Sequence, residues 1–313
     1  MTYSPKISRR AALAGAAALP AAAALLSGAR PALAGGHTGA TQNAIKNSFT
    51  LGDLEVSTLL AGTRPVEDPQ GIFGMNVSEQ EFAEVSRQNF LPTDVAQFFF
   101  TPTVVNTGSE VVLFDTGLSA AGTLPALQAA GFGPEDIDVV VITHMHGDHV
   151  GGLTQEDGTP TYPNARYIAG QVEYDAWNGM DNDTFKAKVA PLADKMTFIG
   201  DGGSVASGIT GMAAFGHTPG HMTYMLDSGG KQVLLMADLA NHYVWSVAYP
   251  DWEVRFDMDK TAAAQTRRRA LGMAAADRIP VIGYHMPFPG MGFIDTRGDG
   301  FHYVPATYQL MLD

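Results

Sequence analysis

Apolar residues fall along this chain in two kinds of pattern. Ile137–Thr143 (IDVVVIT) is nearly continuous, which predicts a short strand buried on both faces. Shorter β-rich runs at Phe98–Asn106, Val111–Asp115, Ile209–Phe215, Met222–Asp227, Val233–Met236 and Val281–Tyr284 predict further strands. Phe49–Leu60 reads as a strand pair turning at Gly52-Asp53. Helices are expected at Thr123–Ala130, ended by Gly131, in a zone over Gln171–Trp177 and Thr184–Asp194, and along Lys260–Ala276. The order predicts a mixed α/β domain over residues 35–313, with two sheets packed face to face and helices outside. Residues 61–95 are rich in turn formers around one helical piece, Ser78–Gln88, opened by a serine cap. This stretch is expected to be an insertion over the body, forming a pocket wall or a homodimer contact.

The first 34 residues read as a leader rather than as part of the fold. Lys6, Arg9 and Arg10 precede an apolar stretch from Ala11 to Leu26, and Ala32-Leu33-Ala34 offers a small-x-small cleavage site. Ser8-Arg9-Arg10-Ala11-Ala12-Leu13 resembles a twin-arginine export signal, so a periplasmic or secreted protein is expected. Elsewhere no apolar run is long enough to span a bilayer, so no integral membrane segment is expected in the mature chain.

The formal charge is −13, and cleavage after Ala34 removes four basic and no acidic residues, leaving −17. A nucleic-acid partner needs clustered cations, and this balance argues against one. The one dense basic run, Arg267-Arg268-Arg269, is read as a solvated helix face. With no cysteine in the chain, disulfides are excluded and any metal site is confined to nitrogen and oxygen donors.

Candidate chemistry concentrates directly after the buried strand, in His144-Met145-His146-Gly147-Asp148-His149. So many imidazoles beside a carboxylate at a strand end are costly unless a cation compensates. His217, Asp238 and His285 each follow the C-terminal end of another apolar run, so the topology can bring them to the same edge. Five of the nine histidines stand in these positions, which separates the pattern from isolated structural histidines.

HMHGDH matches the H-x-H-x-D-H motif of metallo-β-lactamase-fold hydrolases, and Asp115-Thr116-Gly117 matches the turn that precedes it there. The resemblance implies a four-layer αβ/βα sandwich with a dinuclear site. It implies that His144, His146 and His217 hold one divalent ion, that Asp148, His149 and His285 hold a second, and that Asp238 bridges them. Zinc is the default ion. Gly216-His217-Thr218-Pro219-Gly220-His221, the Phe288–Gly292 segment and Tyr303-Val304-Pro305 resemble the methyl parathion hydrolase and lactonase branch.

That branch implies hydrolysis of a small ester, lactone or phosphotriester by a metal-bridged hydroxide, with Asp148 and Asp238 as catalytic residues. Asp115 is expected to accept a ligand histidine's outer N–H. Trp177 and Phe288 are candidate pocket walls, and His221 is expected to be structural. An iron-dependent redox enzyme of the same fold, a β-lactamase and a non-enzymatic periplasmic metal-binding protein are the alternatives.

Overall fold

The computed structural model describes residues 45–306. The leader and export readings fall on residues outside that range. Strands β1 (Lys46–Leu51) and β2 (Leu54–Leu59) pair antiparallel through the turn expected at Gly52-Asp53. The chain then leaves this sheet for β3 (Gly62–Glu67), helix α1 (Glu79–Gln88) and β4 (Val95–Phe100). Ser78 caps α1 by accepting from the Glu81 N–H, as the sequence predicts. β3 and β4 form a separate two-stranded sheet with Arg64 opposite Phe98. β3 escapes the sequence pattern because it is a largely exposed edge containing Pro65, with no buried alternation to announce it.

The chain returns as β5 (Thr103–Asn106), β6 (Val111–Phe114), helix α2 (Ala120–Ala129), β7 (Val139–Ile142), the single-turn α3 (Gly147–Val150), β8 (Arg166–Gly170) and α4 (Gln171–Asn178). The expected continuous run Phe98–Asn106 is therefore two strands in different sheets, broken at Thr101-Pro102. α2 starts three residues earlier than expected because Ser119 caps it from the Gly122 N–H. Within the expected helix over Thr184–Asp194, Phe185–Val189 winds as a π turn and Ala190–Lys195 as a 3-10 turn. Pro191, near the junction, has no N–H to continue an α ladder. β9 (Met196–Ile199) closes the first sheet, whose order is β1-β2-β5-β6-β7-β8-β9. β7 runs parallel to both neighbours, which explains its fully apolar sequence.

The second sheet is β10 (Ser204–Ala206), β11 (Ile209–Ala213), β12 (Met222–Ser228), β13 (Lys231–Ala237), β14 (Val281–Gly283), β15 (Met291–Arg297) and β16 (Gly300–Pro305), in that order. Helix α5 (Lys260–Ala276) supplies the β13–β14 crossover and keeps its predicted bounds. One core joins the facing sheets, with Val56, Val112, Val139 and Val141 meeting Ile209, Tyr224, Leu235 and Ile282. A second core lies under α2 and α4 and a third under α5, so the layers run helix, sheet, sheet, helix.

A fourth apolar cluster fastens the insertion to the body. Phe73, Phe82 and Phe98 pack with Trp245, whose Nε1–H donates to Ser86 Oγ at 3.1 Å. Each such side chain contributes roughly 1.5–3 kcal/mol on burial, so the insertion is a built wall. No helix among the described residues is long and apolar enough to cross a membrane.

Candidate metal centre

All seven candidate donors lie just past the C-terminal ends of strands at one edge of the sandwich. His144 and His146 follow β7, Asp148 and His149 sit in α3, His217 lies between β11 and β12, Asp238 follows β13, and His285 follows β14. Three donor groups emerge, each with its atoms within 4.8 Å of one another: His144, His146 and His217; His144, His149 and Asp238; and Asp148, His149 and His285. All seven side chains singled out in the sequence fall within these groups, with His144 and His149 each shared between two of them.

The outer faces of the rings show which nitrogens point inward. His149 Nδ1–H donates to Asp115 Oδ2 at 2.8 Å, and His217 Nδ1–H donates to Asp257 Oδ1 at 2.9 Å. His285 Nδ1–H donates to the Phe99 carbonyl at 2.8 Å. His144 Nδ1–H donates to Thr143 Oγ1 at 3.2 Å, and that hydroxyl in turn donates to Asp115 Oδ2. With their outer nitrogens donating, these four rings turn Nε2 to the centre, where each offers a lone pair to a metal ion in its neutral form. His146 Nδ1 completes the set, 3.1 Å from both His144 Nε2 and His217 Nε2. Asp238 Oδ2 lies 3.3 Å from His217 Nε2 and 3.2 Å from His285 Nε2, and its Oδ1 lies 3.3 Å from His149 Nε2. His149 Nε2 and Asp238 Oδ1 are both buried without a hydrogen-bond partner. Converging lone pairs and orphaned donors of this type fit divalent cations such as zinc.

The electrostatics agree. Burial pushes the His144 pKa well down, helped by the charge on His149, and brings His146 to about 3. Burial also opposes a charge on His149 and His285, yet the surrounding carboxylates outweigh it. Asp238, Asp115 and Asp148 hold His149 well above its ordinary value, and Asp238 with Asp148 holds His285 at about 10. Without a metal this carboxylate field favours a positive charge on His149 and His285, and a divalent ion would take the place of the proton on each Nε2.

Supporting residues complete the site. Asp115 serves His149 and also accepts from the Thr143 N–H, with its own backbone at φ 59°. Ala237, just before Asp238, sits at φ 46°. Left-handed backbone at non-glycine residues is strained, and here it occurs beside functional carboxylates. His221 is structural, as expected: its Nε2 accepts from the Asp238 N–H at 3.1 Å, and its Nδ1–H faces the Ala214 carbonyl. Asn241 Nδ2 donates to Asp238 Oδ2 at 2.8 Å.

Three contributors have no signal in the sequence pattern. Glu173, in α4, is wholly buried and accepts four hydrogen bonds, from the Met145 and Gly220 N–H groups, Trp177 Nε1–H and Thr218 Oγ1–H. Gly220 permits this approach, because a Cβ there would lie 2.1 Å from the Glu173 nitrogen. Asp257 and Arg267, an ion pair, are the other two. Arg267 is fully buried, against the expected solvated face, and donates to Asp257, to Leu239 O and to Pro250 O. An arginine triplet does not reveal which member turns inward; the partners that draw Arg267 in are far away in sequence.

The cavity in front of the cluster, about 360 Å³, is walled by Val66, Phe98, Phe100, Leu118 and Phe256, with Arg64 on the same wall. Trp177 and Phe288 are not among its lining residues. Trp177 packs in the core with its ring edge-on to His146, at a centroid distance of 5.6 Å. Phe288 is half-buried beside Pro289.

The family model of the Metallo-beta-lactamase superfamily matches residues 101–281, more than half of the chain. The chain belongs to the metallo-beta-lactamase superfamily. His285 falls just beyond the matched stretch, yet its Nε2 reaches the two site aspartates. Among solved structures of this superfamily fold, the dizinc quorum-quenching lactonase AidC superposes with a TM-score of 0.78, at 24% identity, covering 85% of this chain and 99% of that one. Ribonuclease Z of Pyrococcus furiosus is 49% identical over 49 residues, which are 16% of this chain and 15% of that protein. An N-acyl homoserine lactonase of Bacillus cereus is 26% identical over 110 residues, 35% of this chain and 41% of that protein. The matched stretches thus span less than half of these curated relatives.

Proposed function

We propose that this member of the superfamily is a dinuclear-metal hydrolase acting on a small ester, lactone or phosphotriester. The observation that carries the reading is the set of inward-facing imidazole nitrogens and an orphaned carboxylate oxygen, gathered behind an apolar-walled cavity. His144, His146 and His217 would hold one ion, Asp148, His149 and His285 the other, and Asp238 both. When bound, such ions supply Lewis acidity and lower the pKa of water toward 7. The likeness to AidC in fold, and the short match to a homoserine lactonase, support placing lactones within the substrate class.

The chain's own residues prepare the reaction. Asp115 and Asp257 fix the tautomers of His149 and His217, and the Phe99 carbonyl fixes that of His285. Asp148, the most exposed carboxylate of the cluster, faces the cavity and is placed to orient water and take its proton. Burial opposes its ionisation, but His149 and His285 bring its pKa to about 2, so it is a charged acceptor at neutral pH. Phe98, Phe100 and Phe256 hold the apolar body of the substrate and exclude water around the reacting centre.

The test is metal content of the purified protein, measured beside turnover of an aryl ester, a lactone and a phosphotriester before and after chelation. Two divalent ions with turnover that follows them support the proposal. Metal without hydrolysis of any substrate class refutes it.

A further inference from the structure

Arg64 stands apart from every other charged group around the cavity. It lies on β3, in the insertion, and contributes no ligand to the centre. Among the described residues lining the cavity, the other charged or titratable groups are His146, Asp148, Asp238 and His285, all in the metal cluster. Arg64 is the one cation on the wall outside the candidate metal ligands. Arg267 is engaged with Asp257 and Arg268 with Asp251 and Asp299, whereas the Arg64 guanidinium has no hydrogen-bonded or ion-paired protein partner among the described residues. Its position is not remote. β3 and β4 pair with Arg64 opposite Phe98, and the Phe98 ring lies edge-on to His285 at a centroid distance of 5.3 Å.

We infer that Arg64 selects substrates that carry an anionic group, a carboxylate or its equivalent, on the arm directed away from the bond to be cleaved. This rests on the hydrolase reading and narrows its substrate class. A planar guanidinium matches a carboxylate in a two-point pairing, and Arg64, exposed on β3 at the cavity, is free to offer it. Aromatic side chains hold the middle of such a substrate, the cluster its reacting end, and Arg64 its far end. The chain's formal charge of −13 works against anions at long range. That repulsion is screened beyond about 8 Å at physiological salt, so a contact at the wall acts locally.

The experiment uses rigid aryl esters whose carboxylate cannot reach its own ester bond. Phenyl 4-carboxybenzoate places the anion on the acyl arm, and 4-carboxyphenyl benzoate places it on the leaving arm. Each is paired with its neutral carbamoyl counterpart of the same shape. In the metal-loaded protein one placement is expected to show about tenfold higher kcat/KM for the anion than for the amide, carried by KM. A tenfold ratio corresponds to ~1.4 kcal/mol. Arg64→Met should bring that ratio to about one, and Arg64→Lys should restore part of it. The ratio is the readout, so a general change in rate or stability does not imitate the result. No anion preference in either placement, or a preference that survives Arg64→Met, overturns the inference. If none of the esters is cleaved although metal is bound, the hydrolase reading fails. Calorimetric binding of terephthalate against 4-carbamoylbenzoate, in the native protein and Arg64→Met, then decides the role of the arginine by itself.

Discussion

Arg267 reaches His217 through a single carboxylate. Its Nη2 donates to Asp257 Oδ2 at 2.8 Å, while His217 Nδ1–H donates to Oδ1 of the same group at 2.9 Å. All three side chains are buried, so each depends on the next to avoid an uncompensated polar group. Removing the cation should be the more damaging change. Arg267→Met is expected to cost roughly 3–5 kcal/mol of stability by stranding the buried aspartate. Asp257→Asn should keep the fold and lower affinity for the ion at His217 by about 10–100-fold. Chelator competition and urea unfolding on both variants separate the two effects, and unchanged metal affinity in Asp257→Asn would refute the link.

Asp238→Ala removes the one carboxylate within reach of rings from both ligand groups. The protein should stay folded by circular dichroism, bind fewer than two ions, and lose on the order of 10³-fold or more of kcat. Two ions with turnover near the native value would exclude a bridging role.

Glu173 yields a prediction with an unusual sign. Burial raises its pKa, opposed by its four hydrogen bonds, so the folded protein holds this proton to higher pH than the unfolded chain does. Its contribution to stability is therefore greatest below the unfolded value near 4.3 and falls as pH rises toward the folded value. Glu173→Gln should destabilise at every pH, because an amide offers only one acceptor oxygen to four donors, and it should remove that downward slope. Urea unfolding of the metal-free proteins between pH 4 and 7 checks the difference. A parallel pair of curves would count against it.

Phe256 is 40% exposed at the cavity wall and meets the Phe98 ring edge-on at 6.4 Å. Phe256→Ala should raise KM for substrates with an apolar arm, by about 10-fold at most, and leave the melting temperature within a few degrees. If KM for a long-chain or aryl ester stays at its native value, the wall does not contact substrate.

Much of the centre was legible because its ligands are confined to strand ends. IDVVVIT announces β7, and HMHGDH follows it directly, so chemistry and position coincide in one segment. His217, Asp238 and His285 were readable for the same reason. What the pattern could not show are partners chosen by the folded geometry. Glu173 looks like any helical glutamate until α4 brings it to Met145 and Gly220. Arg267 looks like its exposed neighbours until α5 docks beside Asp257. The cavity wall was missed at Trp177, whose Nε1–H turns to buried Glu173, and supplied instead by the insertion and by Phe256. Short edge strands such as β3 escaped because exposed backbone pairing leaves little trace in hydrophobic periodicity.

Three of the four hydrogen bonds at Glu173 tie the loop after β7, in the first sheet, to the loop between β11 and β12, in the second. His144 and His146 belong to one loop and His217 to the other, so their spacing is set when the sheets assemble. Most of the ordering entropy of gathering these ligands is thereby charged to the folding transition. An arriving ion meets an arrangement with little conformational freedom left to lose, which favours rapid capture and a small structural difference between the empty and loaded protein.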